Sequence, residues 1–265
     1  MSSFYLIFSF VLGTLIGSFL NVVALRYNTG MTVNGRSKCF SCGKNLSWFE
    51  LFPVLSFLFQ KGACRKCKSK ISWQYPLIET LSGIIFVMIF LIFPPTSIAA
   101  SVQTFFYILV TCILLVITIY DVKHKIIPDP LVYTFAGLSL IHLFVGPDLS
   151  FVTPSLSALL AGPLLALPFA LLWVVSKGTW MGLGDAKLVL GIGWTLGLFP
   201  GISAMVLAFW IGAGVSILWM LISFGKVRGR YEIPFGPYLI LGMYLVLLFG
   251  IKVIDLEPLV SYLSL

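Results

Sequence analysis

Eight long apolar runs set what this chain can fold into. They fall at about 3–25, 75–94, 101–120, 129–146, 154–176, 184–199, 201–223 and 234–251. A helix that crosses a bilayer needs roughly 17–25 mostly apolar residues. The runs are continuous rather than alternating, which argues against the period-two strands of a membrane barrel. Composition points the same way: 59% of the residues are apolar and 10% are charged, where an ordinary soluble domain is about 25% charged. A water-soluble globule of 265 residues could not bury that much apolar surface, and a disordered chain would not carry it. The expectation is therefore an all-α, polytopic helical membrane protein with about eight transmembrane helices. The sixth run is short and holds Gly191, Gly193 and Gly197, so a tilted, broken or partly re-entrant segment is expected there.

Charge then suggests orientation. The net charge is +8, and the segment from Arg26 to Trp73 holds nine basic residues against one acid, Glu50. A basic patch can bind nucleic acid. In a chain this apolar it reads instead as the positive-inside signal of a cytoplasmic loop, so membrane lipid and no nucleic acid is expected. An eight-span count puts the Asp121–Asp129 turn, the Ser176–Asp185 connection and the basic Phe224–Ile233 loop on that same side. It puts both termini on the other side. Residues 1–25 lack a basic start and a small-residue cleavage site, so they read as a retained span rather than a signal peptide. Gly13, Gly17 and Ser18 form a small-residue stripe that allows close helix approach. Asn21, polar within the span, is expected to bond to a partner helix.

The basic segment contains two paired cysteine motifs, Cys39-Phe40-Ser41-Cys42 and Cys64-Arg65-Lys66-Cys67. Two C-x-x-C knuckles at this distance suit one four-thiolate tetrahedral zinc site. Four thiolates leave no open coordination position, so the metal would be structural rather than hydrolytic. Two disulfides, a redox dithiol and uncoordinated thiols stay open as alternatives. Cys112 lies in an apolar run and reads as inert. The aromatic stretch 46–59, between the knuckles, reads as an interfacial segment against the membrane surface.

Acids inside or beside a membrane are costly and are functional candidates by default. Asp121 ends the third run and Asp185 begins the sixth, in Gly182-Leu183-Gly184-Asp185-Ala186-Lys187. Two aspartates at one membrane edge suit aspartyl protease chemistry, in which close carboxylates share one proton. Glycines before Asp185 would let substrate backbone approach, and Lys187 would bias the pair or meet a lipid phosphate. Either acid alone would equally serve as an interfacial anchor. Asp129, before the fourth run, is read as a helix N-cap rather than a catalyst, with Pro130 in that helix's first turn. Glu79 lies in the second run, a turn from its cytoplasmic start. His124 and His142 have no clustered metal partners, and no phosphate-binding loop or dinucleotide fingerprint is present.

Taken in order, these residues resemble the bacterial type IV prepilin peptidase family, bifunctional leader peptidases and N-methyltransferases. The resemblance runs through Gly17-Ser18-Phe19-Leu20-Asn21, the paired knuckles, Leu46-Ser47-Trp48, Gly62-Ala63-Cys64, Ser72-Trp73-Gln74-Tyr75-Pro76 and Glu79. It continues through Asp121, Ile127-Pro128-Asp129, the G-x-G-D motif ending at Asp185, and Pro234-Phe235-Gly236-Pro237. It implies cleavage of the leader of prepilins and pilin-like proteins at the cytoplasmic face of the bacterial inner membrane, with Asp121 and Asp185 as the catalytic pair. It implies zinc on Cys39, Cys42, Cys64 and Cys67, and N-methylation of the new terminus from S-adenosylmethionine, with Glu79 linked to methyl transfer. Pilus or type II secretion assembly proteins are the implied partners. The organisation expected is a first transmembrane helix (1–25), a cytoplasmic zinc-binding loop (26–73), a seven-helix membrane catalytic core (74–251) and a short outward-facing tail (252–265). Phe40 stands where proline is usual in the family and Gln74 where arginine is common. The rival readings are a peptidase without methyltransferase activity, a non-enzymatic zinc-bearing membrane assembly factor, and a transporter.

Overall fold

The computed structural model describes residues 3–30, 32, 35–222 and 233–253. The expected basic loop before Ile233 and the tail beyond Val253 lie outside the described residues. Helices account for the architecture: α1 (Ser3–Arg26), α2 (Leu55–Phe59), α3 (Gln74–Ile92), α4 (Ile98–His124), α5 (Asp129–His142), α6 (Leu156–Ser176), α7 (Leu183–Leu196), α8 (Leu198–Ile222) and α9 (Gly236–Phe249). Among the described residues the only β pairing is three isolated bridges.

The expected count of eight spans is too high. Among the described residues, five helices are long and apolar enough to cross a membrane: α1, α3, α4, α6 and α8. The fourth, sixth and eighth apolar runs form α5, α7 and α9, each of 14 residues. At 1.5 Å per residue such a helix is about 21 Å long, well short of a hydrocarbon core of about 30 Å. Local signals set these lengths. Pro128 and Pro130 fix the start of α5. Gly197, at φ +85°, stops α7, and Gly250, at φ +63°, stops α9. With five such helices an even span count no longer places both termini on one side.

The chain divides into two compact units, residues 1–119 and 120–265. In the first, α1 packs along α3. Gly13 and Gly17 make this possible. A methyl on Gly13 would lie 2.8 Å from the Gly83 backbone, and one on Gly17 would lie 2.8 Å from Ser82 Cβ. Asn21 does bond across this seam: the Gln74 side-chain amide donates to its oxygen at 3.4 Å. At the far end of α3, Thr104 donates its hydroxyl to the Phe93 carbonyl at 2.6 Å, and Phe93 stacks on Tyr107.

In the second unit α7 is central, touching α5, α6, α8 and α9. Its glycines, expected to weaken it, are where neighbours come closest. Gly191 lies under the Phe135 ring of α5, and a methyl on Gly193 would lie 2.7 Å from the Gly162 backbone of α6. The helix between them is regular. Pro163 within α6 has no N–H to offer the carbonyl one turn back, at Leu159. The Trp194 indole N–H of α7 donates to that carbonyl at 2.9 Å.

Candidate active site and candidate metal centre

Asp121 stands in the last turn of α4 and Asp185 in the first turn of α7. Both are buried, at 4% and 8% exposure, which is uncommon for aspartate. Both line one cleft of about 510 Å³ in the second unit, with Gly182, Gly184, Lys187 and Phe235. Carboxylates that come close enough in such a cleft share a proton, because both cannot easily ionise together.

Each acid is held by a glycine. Gly236 opens α9, and its N–H donates to Asp121 Oδ2 at 3.2 Å. The first N–H groups of a helix have no partner within it and favour a negative charge, so the start of α9 suits an Asp121 carboxylate. A methyl on Gly236 would lie 2.7 Å from that same oxygen. Asp185 follows the Gly182-Leu183-Gly184 turn, with its backbone N–H bonded to Gly182 O at 3.3 Å. The two glycines of this motif differ. Gly182 has open space, its nearest neighbour being Asp185 Oδ2 at 3.7 Å from an added methyl. At Gly184 an added methyl would lie 2.8 Å from Ile127 Cβ. Only Gly182 therefore leaves room for an approaching backbone.

Asp129 is not the N-cap of α5. That position is Pro128, and Asp129 is the first helical residue. Its carboxylate accepts from Lys187 Nζ at 2.7 Å, which ties the starts of α5 and α7 together. Lys187 also lies 4.9 Å over the Tyr133 ring. His124 stacks on Tyr120 rather than approaching a metal-binding group.

In the first unit the two cysteine motifs fold into matching turns. Cys39 N–H donates to Lys44 O and Gly43 N–H to Cys39 O. Cys64 N–H donates to Ser69 O and Lys68 N–H to Cys64 O, all at 2.9 Å. The fourth residue after each leading cysteine has positive φ, +68° at Gly43 and +61° at Lys68. All four sulfurs lie within 4.8 Å of one another. Cys39 and Cys67 are 3.8 Å apart, too far for a disulfide at about 2.05 Å. That spacing matches the edge of a tetrahedron with metal–sulfur bonds of about 2.3 Å. The cluster is thus able to coordinate a metal ion. The Cys42 backbone N–H heads the contacts that lower the Cys39 thiol to about 6, whereas Cys42, despite its backbone contact with Lys44, is pushed up to about 11 by burial and the neighbouring thiols.

Glu50 braces the same segment. Its carboxylate accepts from Ser47 N–H at 2.9 Å and from Lys44 Nζ at 2.9 and 3.1 Å. These contacts, led by the Ser47 N–H, hold its pKa below the ordinary range. Glu79, 6% exposed, accepts the Val54 N–H at 2.7 Å. It lines a separate cavity of about 370 Å³ with Ser18, Phe57 and Tyr75.

The family model described as Bacterial Peptidase A24 N-terminal domain matches residues 11–93, and that described as Type IV leader peptidase family matches residues 108–225. A Prepilin leader peptidase/N-methyltransferase of Xanthomonas campestris is 30% identical over 283 aligned positions, covering 92% of this chain and 91% of that protein. Proteins of the same name from Bacillus subtilis and Myxococcus xanthus are 29% and 33% identical. They cover 93% and 86% of this chain, and 95% and 67% of their own lengths. No solved structure matches. The sequence reading gave no role to Ile127 or Gly236, although both lie in segments it singled out.

Proposed function

The chain belongs to the type IV leader peptidase family, and on that premise we propose that it cleaves the leader from prepilins and pilin-like proteins with Asp121 and Asp185 as the catalytic pair. The observation that carries this is the shared cleft with a buried aspartate from each of two helices. One carboxylate takes a proton from water, and the resulting hydroxide adds to the scissile carbonyl. The other, protonated, donates to that carbonyl oxygen. As the tetrahedral intermediate collapses, the C–N bond breaks and the departing amine takes up a proton. Gly236 favours the charged form of Asp121 and suits it to be the base. Gly182 gives the substrate backbone room beside Asp185.

The protein works in the bacterial inner membrane, with the cleft and the cysteine cluster on the cytoplasmic side, as the basic segment favours. The first helix (1–25), metal-binding segment (26–73), catalytic core (74–251) and tail (252–265) belong to this reading. Zinc on Cys39, Cys42, Cys64 and Cys67 supplies folding energy rather than chemistry, because four thiolates close its coordination. The named relatives support a second step, N-methylation of the new terminus from S-adenosylmethionine. Glu79 is the residue assigned to it, since a buried carboxylate on a cavity wall suits a group that attracts a cationic donor or takes the amine's proton. Prepilins, pseudopilins and the assembly proteins that receive them are the proposed partners.

The test is cleavage of a prepilin from the same genome by the full chain in detergent or lipid, beside D121N and D185N. Each substitution is expected to lower cleavage by at least about 10³-fold, because one carboxylate alone does not supply both proton roles. Mass spectrometry of the product, with S-adenosylmethionine present, is expected to show leader loss plus one methyl. Leader loss without the methyl leaves the peptidase alone. A folded wild-type protein that cuts none of several prepilins overturns the reading.

A further inference from the structure

We propose that Ile127 is a positioning residue, a rigid spacer whose side chain sets the separation of Asp121 and Asp185. The inference rests on the proposed peptidase reading for its activity readout only. Ile127 lies in the turn between α4 and α5. It is 8% exposed, whereas its neighbour Ile126 is 63% exposed. Its side chain meets both elements that hold the aspartates. It packs along the start of α7: a methyl on Gly184, the residue before Asp185, would lie 2.8 Å from Ile127 Cβ and 3.4 Å from Cγ1 and Cδ1. Its Cδ1 faces the start of α9: a methyl on Gly236 would lie 3.2 Å away. Gly236 is the residue whose N–H holds Asp121 Oδ2. Each aspartate is thus tied, through one glycine, to the same isoleucine side chain.

The residue type fits the task. Branching at Cβ restricts χ1, so the direction in which Cγ1 leaves the backbone is well defined. Pro128 follows directly and biases Ile127 towards extended backbone, fixing where the side chain starts. The absence of a Cβ at Gly184 and at Gly236 is what lets both helix starts close on it. Two carboxylates that share a proton are sensitive to their spacing, because their coupling sets how far apart the two macroscopic pKa values lie.

Two measurements test this, one without activity. In the first, D121C and D185C are combined in the full chain, with Ile127 kept or changed to Ala. The pair is treated with bifunctional methanethiosulfonates of increasing span, and the 121–185 cross-link is mapped by mass spectrometry. With Ile127 one span is expected to dominate. With Ile127→Ala the preferred span is expected to shift or to broaden over several. An unchanged span profile overturns the proposal whatever the protein's activity. The second measures prepilin cleavage by Ile127→Ala and Ile127→Val in the wild-type background. A misplacement of about 1 Å can cost on the order of 10²-fold. Ile127→Ala is therefore expected to lower kcat by about 10- to 100-fold with KM nearly unchanged, and to alter the width of the pH–kcat profile. Ile127→Val, which keeps the Cβ branch and loses Cδ1, is expected to fall between. Wild-type cleavage with kcat and pH profile unchanged in Ile127→Ala overturns the spacer and leaves the peptidase reading standing. A shifted span profile in a protein that cleaves no prepilin supports the spacer and overturns the peptidase reading.

Discussion

Single residues in this protein show how much depends on a few buried charges. Glu50 is nearly inaccessible, yet its carboxylate has a cation and a backbone N–H in contact. Such hydrogen bonds to a charged group contribute about 1.5–3 kcal/mol each. Glu50→Gln is therefore expected to lower the thermal stability of the detergent-solubilised protein at pH 7. The pH dependence has a definite sign. The folded pKa is depressed, so the stabilisation is fully present above the ordinary glutamate pKa of about 4.3. It is lost as pH falls through the lower, folded value. The melting-temperature gap between wild type and Glu50→Gln should hold from pH 8 to pH 5 and close only in stronger acid. A gap already closed at pH 5 would show that the contacts to Ser47 and Lys44 do not hold the charge. Lys187 teaches a related lesson. Sequence spacing placed it beside Asp185, but its charge goes to Asp129 on another helix.

Among the elements, the α1–α3 pair gives the most direct test of packing. Its seam relies on glycine at positions 13 and 17, and overpacking such a contact costs typically about 1–3 kcal/mol. Gly17→Leu is expected to separate the helices around Ser82 and to break the Gln74–Asn21 contact. It should lower the melting temperature measurably. An unchanged melting temperature would mean that α1 is not held by this seam. The small-residue stripe was legible in the sequence because small residues at helical spacing have one main use in a membrane. The cysteine cluster was legible for a similar reason: each C-x-x-C pair brings its ligands together locally. Helix length was not. Hydropathy marks where a run is apolar, but α7 and α9 are cut short by Gly197 and Gly250, whose effect is conformational, and α5 ends at His142 although the apolar run goes on. Nor was the burial of Ile127 legible, because two adjacent isoleucines look alike until neighbours close on one of them.

At the scale of the whole chain, the hydrolytic site and the metal cluster are assigned to different units. The four cysteines belong to residues 1–119, and both aspartates, with every residue lining their cleft, belong to residues 120–265. Gly236, Ile127 and Gly184, which position the aspartates, are all in the second unit as well. If the metal is structural, its binding energy is folding energy for the segment that holds it. Stripping it should then act on the first unit's stability and leave the hydrolytic groups in place. Treating the full protein with a zinc chelator is expected to release about one metal ion per chain and to lower the melting temperature. Protein that remains folded should keep its kcat for leader cleavage within about twofold, since a closed four-thiolate site has no position for water or substrate. Activity measured on the folded fraction, isolated by size-exclusion chromatography after chelation, separates the two effects. A folded, metal-free protein that no longer cleaves would place the cysteine cluster within the hydrolytic machinery.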